Sequence, residues 1–179
     1  MLANLGKEFF NLIKENKIWI GINSNRNFSG FIVPKHYTLH GTEARTDENG
    51  NRIVSTNSTC WFTNLDIKKR HEDLPLGKKY SPAEYPKYDN YDAINVNKTN
   101  DIPKDYKGAM GVPITFLDKH NPEQFEILGS DFEVKDGLLP QLVNPKWKGK
   151  IDRGYINGQR LYSRLLIRNI KLCKSRPKK

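Results

Sequence analysis

Residues 2–22 read LANLGKEFFNLIKENKIWIGI, and their patterning decides the fold class. Leu2, Leu5, Phe9, Leu12 and Ile13 recur at helical spacing, which predicts an amphipathic helix over residues 2–13. Asn4 suits its N-terminal cap and Asn16 its end. Ile18-Trp19-Ile20-Gly21-Ile22 follows as a continuous apolar run, the pattern of a strand covered on both faces. A helix feeding straight into a buried strand is half of a βαβ unit, so the class predicted is α/β. Met1-Leu2-Ala3-Asn4 also reads as the tail of a strand whose start is missing. The chain is therefore expected to be a piece of a larger protein.

The remainder of the chain falls into three stretches. From Asn23 to about Gly108 there is no helical period. Asn23–Asn27 reads as a polar loop, and Phe31-Ile32-Val33, Ile53-Val54 and Cys60-Trp61-Phe62 as short strands. Asp47-Glu48-Asn49-Gly50 predicts a turn, Asn-Gly being the favoured hairpin dipeptide. From Gly111 order of an α/β kind returns. Val112–Leu117 is expected as a strand, Asn121-Pro122-Glu123-Gln124 as a helical turn, and Phe125–Leu128 as a further apolar strand. Asp131–Arg153 is weakly patterned and reads as a surface excursion. Asn157-Gly158 signals a second hairpin, and Tyr162–Ile167 the last strand. Arg160, Arg164 and Arg168 also match one face of a helix, but the Asn-Gly turn and the Leu-Leu-Ile run favour the strand. The basic stretch 171–179 is expected to be a frayed tail.

Composition narrows the function. With 179 residues the chain makes about one domain. Thirty Lys and Arg against 20 Asp and Glu leave a net charge of +10, which favours a polyanion as partner, nucleic acid first. Mean hydropathy is −0.73, yet aromatic residues reach 11 %, more than a disordered chain carries. No apolar run approaches the ~18 residues of a membrane span. Charges at the N-terminus occupy the place where a signal peptide needs an apolar block, which reads against export. Two cysteines, Cys60 and Cys173, exclude a disulfide scaffold and a cysteine-only zinc site.

Catalytic constellations are scarce. His36, His40, His71 and His120 lie in different segments, none at a metal-binding spacing, and no glycine-rich phosphate loop is present. Asn144-Pro145-Lys146-Trp147 approaches an Asn-Pro-Pro-aromatic loop but has Lys146 in place of the second proline. Asp89, Asp92 and Lys98 offer only a weak basis for a nuclease. The basic cluster Asn64-Leu65-Asp66-Ile67-Lys68-Lys69-Arg70-His71 is more informative. Lys and Arg neutralise phosphates, and Asn, Arg and Lys also read purine edges. The same run would suit a plain solvated face.

Several segments together resemble the EcoRI-type adenine-specific DNA methyltransferases. They are Phe10–Trp19, Gly30–Pro34, Gly41–Arg45, Thr63–Asp66 and, most distinctively, Tyr85–Val96. Gly111–Leu117, Asn121–Glu126, Ile156–Gly158 and Arg164–Ile167 continue the match, in order, to about residue 170. The resemblance implies transfer of a methyl group from S-adenosylmethionine to N6 of adenine in double-stranded DNA, within a restriction–modification system of the bacterial cytoplasm. It also implies a catalytic Asn-Pro-Pro-Phe loop and a cofactor-binding strand. Neither is in this sequence, so no catalytic or cofactor residue transfers, and no metal ligand is implied. The expected architecture is a partial S-adenosylmethionine-dependent methyltransferase (Rossmann-like) sheet from residues 1–24 and 108–170. A β-rich insertion for DNA target recognition would span residues 25–107. Its candidate DNA-binding residues are Arg45, Asn64, Lys68, Lys69, Arg70, Lys78 and Lys79, with Arg or Asn on bases and Lys on phosphates. Tyr85, Tyr88 and Tyr91 are read as packing rather than stacking groups. The chain alone is expected to be inactive and not to hold S-adenosylmethionine, with an N-terminal catalytic half as its missing partner. The alternative is a DNA-binding module with no catalysis of its own.

Overall fold

A computed structural model describes residues 2–4, 7–22, 30–39, 44–54 and 59–174. The polar loop expected over 23–27, His40, and the tail beyond residue 174 lie outside the described residues. The chain divides into two compact units, Met1–Leu65 and Asp66–Lys179.

In the first unit β1 (Leu2–Asn4) precedes α1 (Lys7–Lys14), so the helix begins later than its apolar spacing implies. Phe10 and Ile13, three residues apart, are its buried face. Glu8 in the first turn and Lys14 in the last complement the helix dipole. Asn16 follows at φ 57°, a left-handed conformation that asparagine tolerates, and stops the helix where expected. After β2 (Trp19–Ile20), the strands β3 (Phe31–Ile32), β4 (Arg45–Thr46), β5 (Arg52–Val54) and β6 (Thr59–Thr63) complete the unit. Two antiparallel three-stranded sheets result, with orders β1-β6-β2 and β3-β5-β4. The turn between β4 and β5 is the one signalled by Asn49-Gly50. Gly50 takes φ 76°, and the Asp47 carboxylate accepts the N–H groups of Asn49 and Asn51 at 3.0 and 2.7 Å.

The second unit is built on a four-stranded sheet of order β7-β8-β12-β9. Its strands are β7 (Ala93–Asn95), β8 (Ala109–Val112), β9 (Phe125–Ser130) and β12 (Leu165–Asn169). β7 and β8 are parallel, and β12 is antiparallel to both its neighbours. Between β9 and β12 lie α2 (Asp131–Lys135) and a short hairpin, β10 (Tyr155–Ile156) with β11 (Gln159–Arg160). α3 (Ile170–Lys174) follows β12, so the tail begins as helix rather than frayed chain. Asn157 and Gly158, at φ 51° and 75°, form the predicted hairpin turn. Side chains of Tyr91, Phe116, Phe125, Met110, Leu166 and Ile167 are fully buried, and the Phe116 and Phe125 rings meet edge to face at 5.3 Å.

The mixed α/β class is as expected; beyond the later start of α1 and the helical start of the tail, the last strand begins at Leu165 rather than Tyr162, and three larger readings differ. A sheet shared by residues 1–24 and 108–170 is not formed among the described strands: β1 and β2 pair with β6, and β8 pairs with β7 from within the expected insertion. Strand β8 stops at Val112 because Pro113, with no N–H to give, cannot continue the ladder, and residues Ile114–Lys119 form a 3₁₀ helix instead. Asp131–Arg153 is not merely a surface excursion, since it buries Val134, Leu139 and Leu142. Its helix α2 carries a capping box in which the Glu133 carboxylate accepts the Ser130 N–H at 3.0 Å.

Candidate nucleic-acid interface

Each unit carries part of the candidate set. In the first, Arg45 stands exposed on β4 opposite Ile53, and Asn64 is exposed just past the end of β6. The Asp47 carboxyl nearby is held below its ordinary range, chiefly by the Asn51 amide and backbone, with Asn49 and the Arg45 charge adding to the effect.

In the second unit, Lys68, Lys69 and Arg70 lie on a single 3₁₀ turn, Lys68–His71. Lys68 is exposed, and Lys69 and Arg70 are half-buried. A polar anchor from the start of β9 holds this segment. The Gln124 amide accepts the N–H of Leu74 at 2.7 Å and donates to its carbonyl at 2.9 Å. Asn121 donates to the His71 carbonyl at 3.3 Å and to the Asp73 carboxylate at 2.9 Å. Both amide side chains are buried, so these bonds are made in a medium where leaving them unmade is costly. Lys171 pairs with the other oxygen of Asp73, and His71 Nε2 sits 2.6 Å from the Asp66 carboxylate. Among the described residues, neither Lys68 nor Lys69 has a carboxylate partner.

Lys78 and Lys79 differ. Lys78 lies 2.6 Å from Glu84 and 3.4 Å from Asp101, and its ammonium is raised above the usual lysine range, first by the Glu84 hydrogen bond. Its charge is already offset within the unit. Lys79 is exposed and makes no ion pair among the described residues.

His120 lies against the same region. Its Nε2–H donates to the Phe125 carbonyl at 3.0 Å, and its ring packs 5.6 Å from Phe116. Burial is the main cause of its lowered pKa; the Phe125 carbonyl opposes the shift, and the Arg70 charge adds to it. Between the folded value and the ordinary 6.5 the unfolded chain binds more protons, so stability rises with pH in that window. Acidification below about pH 6.5 should therefore destabilise the second unit, and His120→Gln should flatten that slope. Denaturant melts of both proteins between pH 7.5 and pH ~5 check this, and equal slopes would contradict it.

Tyr85, Tyr88 and Tyr91 are buried, as expected of packing groups. Asp89 accepts the Gly158 N–H at 2.8 Å, Asp92 pairs with Lys87 at 3.3 Å, and Asn144 donates to the Asp89 carbonyl at 2.7 Å. These are structural duties, and they account for the two carboxylates that suggested a nuclease and for the asparagine of the Asn-Pro loop.

Sequence reasoning missed a second polar cluster, at the sheet end where β7 finishes and β12 begins. Asn95 Oδ1 accepts the Tyr88 hydroxyl at 2.9 Å, Asn95 Nδ2 donates to Asn97 Oδ1 at 2.9 Å, and Arg164 reaches both amide oxygens at 3.4 and 3.5 Å. Its signals are the pattern Asn95-Val96-Asn97, two polar residues two apart leaving a buried strand, and the place of Tyr88, Asn95 and Arg164 within the segments that carry the resemblance.

This chain matches the model of the family described as adenine-specific methyltransferase EcoRI over residues 3–170. The chain belongs to that family. Among curated relatives it is 56 % identical over 170 residues to Type II methyltransferase M.EcoRI of Escherichia coli, covering 94 % of this chain and 48 % of that protein. It is 36 % identical over 166 residues to Type II methyltransferase M.MgeORF184P of Mycoplasma genitalium, covering 89 % and 51 %. To Type II methyltransferase M.MpnI of Mycoplasma pneumoniae it is 32 % identical over 189 residues, covering 94 % and 58 %. The chain thus spans about half the length of the curated family members it matches. No solved structure matches it. Among the described residues no helix is long and apolar enough to cross a membrane, and no group of three or more His, Cys, Asp or Glu could hold a metal ion.

Proposed function

We propose that this chain is the C-terminal, DNA-recognising portion of a DNA adenine-N6 methyltransferase of a restriction–modification system, acting in the bacterial cytoplasm. Double-stranded DNA is its partner. The S-adenosylmethionine site and the catalytic Asn-Pro-Pro-Phe loop belong to an N-terminal catalytic half, without which the chain is inactive. The parallel pair β7–β8, flanked by antiparallel β12 and β9, supports its reading as the rim of a Rossmann-like methyltransferase sheet. DNA target recognition falls to residues 25–107 apart from strand β7, which belongs to that sheet.

The observation that carries this reading is the Lys68–Lys69 pair, two lysines with no carboxylate partner among the described residues, on a turn locked by Gln124 and Asn121. An uncompensated cation on a fixed backbone gains a phosphate without first losing an internal ion pair. Lys79 joins them on phosphates, whereas Lys78, held by Glu84 and Asp101, contributes least. Arg45, Asn64 and Arg70 are the base-reading candidates.

The test is the salt dependence of duplex binding. Replacing Lys68 and Lys69 together by Ala should weaken binding and reduce the slope of log affinity against log salt by about two. Unchanged affinity and slope would remove these residues from the interface.

A further inference from the structure

We propose that the sheet end carrying Arg164 and Tyr162 is a nucleotide-binding surface, with Arg164 on a phosphate and Tyr162 stacked on an unpaired base. It rests on the reading of this chain as DNA-binding, and adds contacts outside residues 25–107.

The charge of Arg164 sets it apart from its neighbours. Arg153, Arg160 and Arg168 each face a carboxylate, from Asp131 at 3.7 Å, Asp152 at 2.8 Å and Glu126 at 3.8 Å. Among the described residues the Arg164 guanidinium instead meets neutral oxygens: Asn95 Oδ1, Asn97 Oδ1 and the Ser163 carbonyl, at 3.4, 3.5 and 3.4 Å, and the Tyr88 hydroxyl. Those contacts orient the guanidinium without cancelling its charge. Its placement is over-determined, because Asn95 is itself buried and bonded to the Tyr88 hydroxyl and to Asn97. An arginine whose side chain is already ordered loses little further entropy on meeting an anion.

The backbone beside it is equally fixed. The buried Asp131 carboxylate accepts the Ser163 hydroxyl at 2.8 Å and the Arg164 N–H at 3.2 Å, and the Leu161 N–H donates to the Gly154 carbonyl at 2.8 Å. Between these anchors Tyr162 is 86 % exposed, more than any other large apolar side chain described, and its side chain makes no hydrogen bond among the described residues. Anchored on both sides, the ring stays in water. Lys98, also exposed, directly follows Asn97. Phosphate-seeking cations beside an aromatic platform are the combination by which proteins hold unstacked nucleotides, whatever the base.

Fluorescence anisotropy of the full chain with two labelled probes tests this: a duplex, and the same duplex with a short single-stranded gap. Tyr162→Ala should lose about tenfold affinity for the gapped probe, Tyr162→Phe should retain it, and Arg164→Gln should reduce the salt slope by about one. Tyr162→Ala removes a side chain that is 86 % exposed, so it reports binding even if Arg164→Gln fails to fold. Unchanged affinity of Tyr162→Ala for the gapped probe overturns the proposal while leaving duplex binding by the unaltered chain intact. An unaltered chain that binds neither probe overturns the DNA-binding reading and this proposal with it. Equal losses for Ala and Phe would mean that the hydroxyl, not the stacked ring, does the binding, which also overturns it.

Discussion

Asn90→Ala should lower the stability of the second unit by about 3–5 kcal/mol, among the largest effects of any single substitution here. Asn90 is fully buried. Its Nδ2 donates to the Arg153 carbonyl at 2.6 Å and its Oδ1 accepts the Tyr155 N–H at 3.0 Å. Truncation leaves both backbone groups without a partner, at roughly 1–3 kcal/mol each. The same joint has no slack. A Cβ placed on Gly154 would stand 2.4 Å from the Tyr88 ring and 2.8 Å from the Tyr91 hydroxyl, while one on Gly111 would meet the Tyr88 hydroxyl at 2.2 Å. The Tyr88 ring is thus wedged between two glycines, and the hairpin β10–β11 hangs on Asp89 and Asn90. Against a typical total of about 5–15 kcal/mol, the loss should drop the melting temperature of this unit by about 10 °C or more. A melt by near-ultraviolet dichroism reads it, and a fall under about 1 kcal/mol would show that the clamp does not hold the hairpin.

Gln124→Ala should release the basic segment without removing a single positive charge. The amide satisfies both the N–H and the carbonyl of buried Leu74, 50 residues away in sequence. Losing both bonds costs on the order of 2–5 kcal/mol locally, so exchange of the Leu74 amide should accelerate about thirtyfold or more. Gln124→Glu keeps the acceptor but cannot donate to the carbonyl, and should fall between the two. Duplex affinity should drop with the alanine variant although Lys68 and Lys69 are untouched, because their placement is lost. Fast exchange with full affinity would show that the lysines act without the anchor; unchanged exchange would show that it does not hold Leu74.

What the sequence made legible was local. Asn49-Gly50 and Asn157-Gly158 could be placed because positive φ restricts the residues that suit such turns. Asn121 could be read as a turn opener, and its side chain does accept the Glu123 N–H at 2.8 Å. The capping box Ser130-x-x-Glu133 was equally present, but the helix it starts is only five residues long, too short for periodicity to stand out. Strand partners were the least legible, because pairing is non-local: nothing near β2 states that it lies beside β6 rather than β8. Charge had the same limit. A run of lysines shows where cations are, not which are already spent, and the pairing of Lys78 with Asp101 spans 23 positions. Arg164 was missed for the converse reason, since only in three dimensions does its guanidinium meet amide oxygens and no carboxylate among the described residues.

The proposed function has this chain recognise DNA while the cofactor chemistry of its family lies outside it. Isothermal titration of the purified chain with S-adenosylmethionine, with and without duplex DNA, tests it most directly. No heat of cofactor binding is expected in either case, together with DNA binding that weakens steeply as salt rises. Saturable binding of S-adenosylmethionine, or no affinity for DNA at low salt, would contradict it.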